Sequence, residues 1–385
     1  MATTANISTK IRLKPAVSAH EMHGHAPKSA PDTWIFNAEA VSTLLIAAWY
    51  IFGVFIALGI VPANSFHAWG STWIIPLLLG VFYFGAGLLF QRYQKVTDIC
   101  SWANYMKREV IVLLVPFFAF TILTLATGSL MALQPELMRS GLIEAAPGLT
   151  AENFIHAAFI QPVGPVGYFI VLLGFFVVTR TPQTTRGMGV LIALGLMVKT
   201  VAVVLADTNE SLFIPYYIMQ MMDNWIWFIL GIALQFFKLD QKLTKGVAAC
   251  AVVAFFAVGA ALFVFNITEA ACLSVLTALG LLSFYALSAT RFENGAQNKF
   301  FGFVTQYTMA IWLMHEILAE LVFFALFACG FSPIGAFACD GGWGIVCAAA
   351  CILACYPLAV LVMAALSRIW KLGFIVYPAR YLPAK

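Results

Sequence analysis

The sequence predicts an all-α fold, a polytopic membrane helical bundle with about ten transmembrane helices. Three observations predict it. Hydrophobic residues make up 62% of the 385 residues and charged residues only 10%, a balance far from that of a water-soluble domain. The apolar residues gather into ten long stretches joined by short polar loops. The positive charges in those loops alternate along the chain.

The ten stretches run over about 36–61, 71–91, 109–133, 165–179, 188–206, 214–237, 246–267, 270–290, 301–329 and 343–367. Most supply the roughly 20 apolar residues that a helix needs to cross a bilayer core. The fourth is short and is expected to be less tilted or partly embedded. Every Lys and Arg except Arg139 and Lys199 falls on one side once ten crossings are assumed. A missed or invented span would scramble that sorting. The positive-inside rule then assigns both termini to the cytoplasm, in the inner (cytoplasmic) membrane of a cell. The chain divides into a disordered cytoplasmic tail at 1–33, a ten-helix domain at 34–370 and a cytoplasmic C-terminal tail at 371–385.

The net charge of +4 comes from these cytoplasmic loops and suits anionic membrane lipids, with no nucleic-acid partner expected. The first span is too long for a signal-peptide core, so it is expected to be retained. Eight Cys residues do not make a disulfide scaffold. Cys347, Cys351 and Cys355 follow helical spacing in a small-residue run that suits close helix packing. Cys329 and Cys339 flank the last outer loop and are placed for a bridge in an oxidising exterior. His20, His23 and His25 lack partner ligands, and no metal site is expected.

Two loops stand out. The inner loop QRYQKVTDICSWANYMKR mixes Tyr93, Trp102 and Tyr105 with Arg92, Lys95, Lys107 and Arg108. It reads either as an interfacial helix or as a basic cradle for a phosphate-bearing cosubstrate. The outer loop from about 134 to 164 carries Glu136, Glu144, Glu152 and His156 and is long enough to fold over an outer cavity.

Ionisable side chains at bilayer depth are costly and point to function by default. Lys199, Asp223, His315, Glu316 and Glu320 fall at such depths. Glu316 and Glu320 share a helix face at i, i+4, with His315 about 100° away. Lys199 and Asp223 either neutralise each other or line a path. His315 is either a packed, hydrogen-bonded histidine or a proton carrier, and histidine is the side chain best suited to move protons near neutral pH. Similar depths predict a shared polar cavity in the outer half of the bundle.

Four segments carry a resemblance. FYFGAGLLF (82–90), YMKREVIVLLVPFF (105–118), WIWFILGIAL (225–234) and FGFVTQYTMAIWLMHEIL (301–318) resemble, in order and spacing, segments of the acyltransferase family 3 integral membrane proteins. The resemblance covers residues 33 to 370. It implies transfer of an acyl group, commonly acetyl, from cytoplasmic acyl-CoA (acetyl-CoA) to a hydroxyl of an exported glycan or glycolipid in a bacterial cell envelope. It also implies that Arg92, Lys95, Lys107 and Arg108 would serve the CoA phosphates. The family pattern places an Arg and, eleven residues later, a His in the first span, and here those positions hold Glu39 and Tyr50. Ile111 or Val112 stands at a second family Arg, and Gly85 or Ala86 at a family Ser. The candidate catalytic residues are therefore His315, Glu316 and Tyr50. Two alternatives remain: a diverged member that binds or translocates a lipid-linked glycan, and a membrane sensor or assembly partner.

Overall fold

The computed structural model describes residues 33–94, 96–134, 148–208, 214–291, 299–329 and 341–382. Among these residues the regular structure is entirely helical. The helices are α1 (Thr33–Ala57), α2 (Ser65–Ser71), α3 (Ile74–Tyr93), α4 (Ile99–Met131), α5 (Ala151–Phe159), α6 (Gly167–Val178), α7 (Thr185–Thr208), α8 (Tyr216–Phe236), α9 (Lys245–Val264), α10 (Ala270–Arg291), α11 (Lys299–Ala328), α12 (Gly341–Arg368) and α13 (Trp370–Val376). They make ten spans long and apolar enough to cross a membrane, with α2–α3 and α5–α6 each counted as one. The protein is a multi-pass membrane protein, and the expected ten crossings are present.

Polar residues set the helix starts. Asn64 caps α2 by accepting from the His67 amide at 2.7 Å. Asp98 and Ser101 form a reciprocal capping box at the start of α4, which satisfies two otherwise orphaned amides. The Ser101 amide holds the Asp98 carboxyl below the usual carboxylate range. Thr150 and Thr244 cap α5 and α9. Inside the spans, Thr43, Thr121, Thr127, Thr277 and Ser283 return their hydroxyls to the carbonyl four residues earlier. That bond keeps a hydroxyl satisfied where water is absent.

Hydrogen bonds between loops show which helix ends lie together. The Thr181 amide donates to Val96 O at 3.0 Å, and Arg92 reaches Gln235 and Asp240. These contacts gather the basic loops at one end of the bundle. At the other end the Tyr216 amide donates to Ile160 O at 2.9 Å, and Trp69 Nε1 donates to Ile267 O at 3.2 Å. Among the described residues, the loops at this second end carry no Lys or Arg.

The most buried crossings are α2–α3 and α11, while α7, α9 and α12 are mostly exposed and apolar. Phe256, Val253 and Leu353 on these outer helices face outward, as a lipid-facing surface requires. The closest approach in the centre joins α3 and α8. A methyl group on Gly87 would strike the Phe228 carbonyl, and one on Gly231 would strike the Phe84 carbonyl. Small residues of this kind let helix backbones approach in lipid, where no hydrophobic force draws them together.

Two elements differ from the sequence reading. The fourth crossing is a broken helix, not a short one: α5 and α6 are separated by a 3-10 turn at Gly164–Val166 and the Pro-bearing segment before it. Half of the long outer loop thus belongs to this crossing. The C-terminal segment also folds: α13 and a turn at Pro378–Arg380 pack against α4, with Tyr377 fully buried. The N-terminal tail with its three His residues, Lys95, Glu136, Arg139, Glu144 and Cys339 lie outside the described residues.

We expect Gly87→Val to force α3 from α8 and lower stability by about 1–3 kcal/mol, the usual range for overpacking. Gly189, with open space around it, provides the control. Thermal unfolding in detergent should fall for Gly87→Val and hold or rise for Gly189→Ala.

Candidate functional site

A cavity of about 530 Å³ opens among α1, α2, α3, the break in the fourth crossing, α8 and α11. Its wall comes from the C-terminal half of α1, the N-terminal halves of α3 and α8 and the start of α6. These are the helix ends away from the basic loops. Aromatic rings dominate the wall: Trp49, Tyr50, Tyr83, Tyr168, Tyr216 and Trp312. His67, Gln220, His315 and Glu316 supply the main polar groups.

His315 is 1% exposed and held by its own helix. Its Nδ1 lies 2.8 Å from Trp312 O and 3.2 Å from Ile311 O. Both are acceptors, so Nδ1 carries the proton. The lone pair of the neutral ring is then on Nε2, which is buried with no hydrogen-bond partner. A histidine fixed in this tautomer keeps its acceptor on Nε2.

Tyr50 stands edge-on to the His315 ring, with centroids 5.5 Å apart. Its Oη donates to Glu320 Oε1 at 3.3 Å. Glu320 itself lies behind Tyr50, and its Oε2 is buried without a partner. Glu316 reaches the cavity wall directly, beside Gly164. That glycine has φ +67°, and a Cβ there would press on Glu316 Oε2. Only glycine adopts this backbone readily, so the break brings its main chain against the α11 carboxylate. Trp312 Nε1 donates to Pro165 O at 3.2 Å and fastens the other side of the break.

The remaining intramembrane pair is elsewhere. Lys199 Nζ meets Asp223 Oδ1 at 2.5 Å between α7 and α8 and lies 5.3 Å from the centre of the Trp227 ring. Neither residue lines the cavity. Of the two sequence readings, the geometry is that of mutual neutralisation. At the basic end, Arg92 is engaged by Gln235 Oε1 at 2.7 and 3.1 Å and by Asp240 Oδ2 at 3.1 Å, which ties α3 to the end of α8. Lys107 is exposed. Arg108 is half-buried, with Nε lacking a partner. Glu39 is buried in the bundle centre, its carboxylate against Gly85, where a Cβ would not fit.

The structure thus brings Tyr50, His315 and Glu316 to one cavity, with Glu320 attached through Tyr50. It leaves Lys199 and Asp223 apart and sets Arg92, Lys107 and Arg108 at the far end. Sequence reasoning missed His67. That ring stacks on Trp49 with centroids 4.8 Å apart and planes 13° from parallel. It sits in α2, before the apolar run that marks the second span, so hydropathy passed over it. The Asn64 cap was the local signal that a helix starts there. Gln220, Tyr168 and Tyr216 were also missed, because each looks like an ordinary residue of an amphipathic span. Among the described residues no group of His, Cys, Asp and Glu is placed to hold a metal ion.

Known family models, characterised proteins and solved structures offer no match to the chain.

Removing one member of the Lys199–Asp223 pair leaves the other charge unpaired in an apolar span. We expect Lys199→Met to cost roughly 2–4 kcal/mol, somewhat below the range for fully buried pairs because Asp223 is partly exposed. Adding Asp223→Leu should recover most of that loss. A double-mutant cycle read by thermal unfolding checks both, and additive losses would mean the pair is not coupled.

Proposed function

We propose that the protein is a membrane acyltransferase that moves an acyl group, in the simplest case acetyl, from cytoplasmic acyl-CoA to a hydroxyl of a glycan or glycolipid held in the cavity. The single observation that carries this reading is the His315 ring: Nδ1 tied to two carbonyls, Nε2 buried and unpartnered at the wall of a cavity large enough for a small-molecule substrate. The resemblance to acyltransferase family 3 supplies the reaction class.

In this reaction the acceptor hydroxyl gives its proton to His315 Nε2 as its oxygen attacks the thioester carbonyl. The new C–O bond forms, the C–S bond breaks, and the imidazolium returns the proton to the departing thiolate. A sugar hydroxyl is a poor nucleophile, and a positioned base of this kind contributes about 10²–10⁴ in rate. Tyr50 and Glu320 hold the ring's neighbourhood in place, and Glu316 is aimed to orient the acceptor or the imidazolium. Among the described residues of the basic inner loop, Lys107 and Arg108 are the cations left for the CoA phosphates, since Arg92 is committed to Asp240 and Gln235. With the basic end cytoplasmic, donor and acceptor enter from opposite faces.

One observation favours a second reading. The cavity abuts the break in the fourth crossing, and interrupted helices at a binding site are common in proteins that move substrates across the bilayer. Binding or translocation of a lipid-linked glycan without chemistry is the competing function.

Membranes carrying wild type, His315→Ala or His315→Gln, supplied with radiolabelled acetyl-CoA and envelope glycans, distinguish the two. We expect label in glycan with wild type and a loss of at least about 10²-fold with either variant. Equal labelling by wild type and variants would overturn the role of His315. Glycan movement into vesicles without any acyl donor, with no labelling, would establish the second reading.

A further inference from the structure

Three phenols on the cavity wall have no structural duty for their hydroxyls. Tyr83 and Tyr168 stack with ring centroids 5.2 Å apart, and Tyr216 stands at the first residue of α8. All three line the cavity. Among the described residues none of these hydroxyls has a hydrogen-bond partner, in contrast to Tyr217, Tyr285 and Tyr356, which donate to the carbonyls of Ala157, Val81 and Leu44. Tyr83 is buried as a residue, Tyr168 is partly buried and Tyr216 is exposed; with no partner in the protein, their hydroxyls are available to a ligand in the cavity they line.

The charge of the wall limits what that ligand is. Among the described residues, no Lys or Arg lines the cavity, and its one carboxylate is Glu316. The starts of α6 and α8 bring partial positive charge, which Glu316 opposes. A carboxylate or phosphate here would lose its water without gaining a full counter-charge, and an unpaired buried ion is far costlier than a hydrogen-bonded neutral group. Flat aromatic faces and neutral donors instead match a ring that is apolar on its faces and hydroxylated at its edge.

We propose that the cavity is selective for a neutral sugar ring, held through Tyr83, Tyr168 and Tyr216, and discriminates against acidic sugars. The proposal rests on the reading that the acceptor occupies this cavity, and it adds which acceptors are admitted.

The test uses full-length protein in lipid nanodiscs, because sugar-headed detergents would compete. Equilibrium dialysis compares p-nitrophenyl β-glucoside with p-nitrophenyl β-glucuronide, which differ only by the carboxylate. The glucoside is expected to bind saturably and at least about tenfold tighter. Loss of one neutral hydrogen bond costs about 1 kcal/mol, so Tyr83→Phe and Tyr168→Phe should each weaken the glucoside about fivefold without lowering the melting temperature. Glu316→Gln should narrow the preference between the two sugars. Absent glucoside binding, equal or tighter glucuronide binding, or indifference to both Tyr→Phe changes overturns the proposal. No acyl donor is present, so these outcomes are separate from those for His315-dependent transfer: labelled acetyl entering acidic glycans would sink the selectivity and leave the reaction standing.

Discussion

The contact on which the rest of this architecture depends is the reciprocal backbone approach of α3 and α8. Gly87 faces the Phe228 carbonyl and Gly231 faces the Phe84 carbonyl. Each glycine gives the other helix the space that a side chain would occupy, and neither half works without the other. From this crossing point, α3 runs one way to Tyr83, Leu79 and Ile75 on the cavity wall, and α8 runs to Gln220 and Tyr216 beside them. In the other direction the two helices end at Arg92 and Gln235, joined by hydrogen bonds and continued to Asp240. A separation of even an ångström at the glycines would open the phenol wall and the polar clasp together. Lipid offers no hydrophobic force to close such a gap again, so small-residue packing sets the geometry of the site.

The ten crossings were legible because hydrocarbon burial is a blunt constraint that composition alone reveals, and charge alternation supplied an independent check. The break in the fourth crossing was less legible. Pro162, Gly164 and Pro165 read as loop residues, and the amphipathic stretch 151–159 is too short to register as a span. Only the contacts of Gly164 with Glu316 and of Pro165 with Trp312 make the break part of the bundle. For the site, depth along each helix could be counted, but rotation could not. His315, Glu316, Lys199 and Asp223 lie at similar depth, yet α11 turns its pair toward α1 while α7 and α8 turn theirs toward each other. Arg92 illustrates the same limit: its position in a basic loop was plain, and its carboxylate partner 148 residues away was not.

The separation of the basic end from the cavity has a consequence for any reaction with a cytoplasmic donor. His315 is sixteen residues into α11, or about 24 Å from the basic end at 1.5 Å per residue. Between these points α1 and α11 carry buried polar groups, among them Asn37, Glu39, Ser42, Thr305 and Thr308. Thr305 donates to Asn37 Oδ1 at 3.3 Å, and the Asn37 amide nitrogen has no partner. Ser42 donates to Leu78 O at 2.8 Å and Glu39 lies against Gly85, so these groups fasten α1 to α3 as well as to α11, and polar contacts of this kind help hold helices together in lipid.

His315 carries an energetic cost of its own. Its imidazole makes two hydrogen bonds on one nitrogen and none on the other, inside a protein where most hydroxyls are returned to a carbonyl four residues away. A leucine of similar volume would fill the space without leaving an acceptor unsatisfied, and an unsatisfied buried polar group costs about 1–3 kcal/mol. Glu320 Oε2, behind Tyr50, repeats the pattern further along α11, and three cavity phenols leave their hydroxyls without a protein partner. One such atom is an ordinary imperfection of packing. Grouped around a common cavity on α3, α6, α8 and α11, His315 and the phenols together form a surface whose hydrogen-bonding capacity is completed only when something polar occupies it.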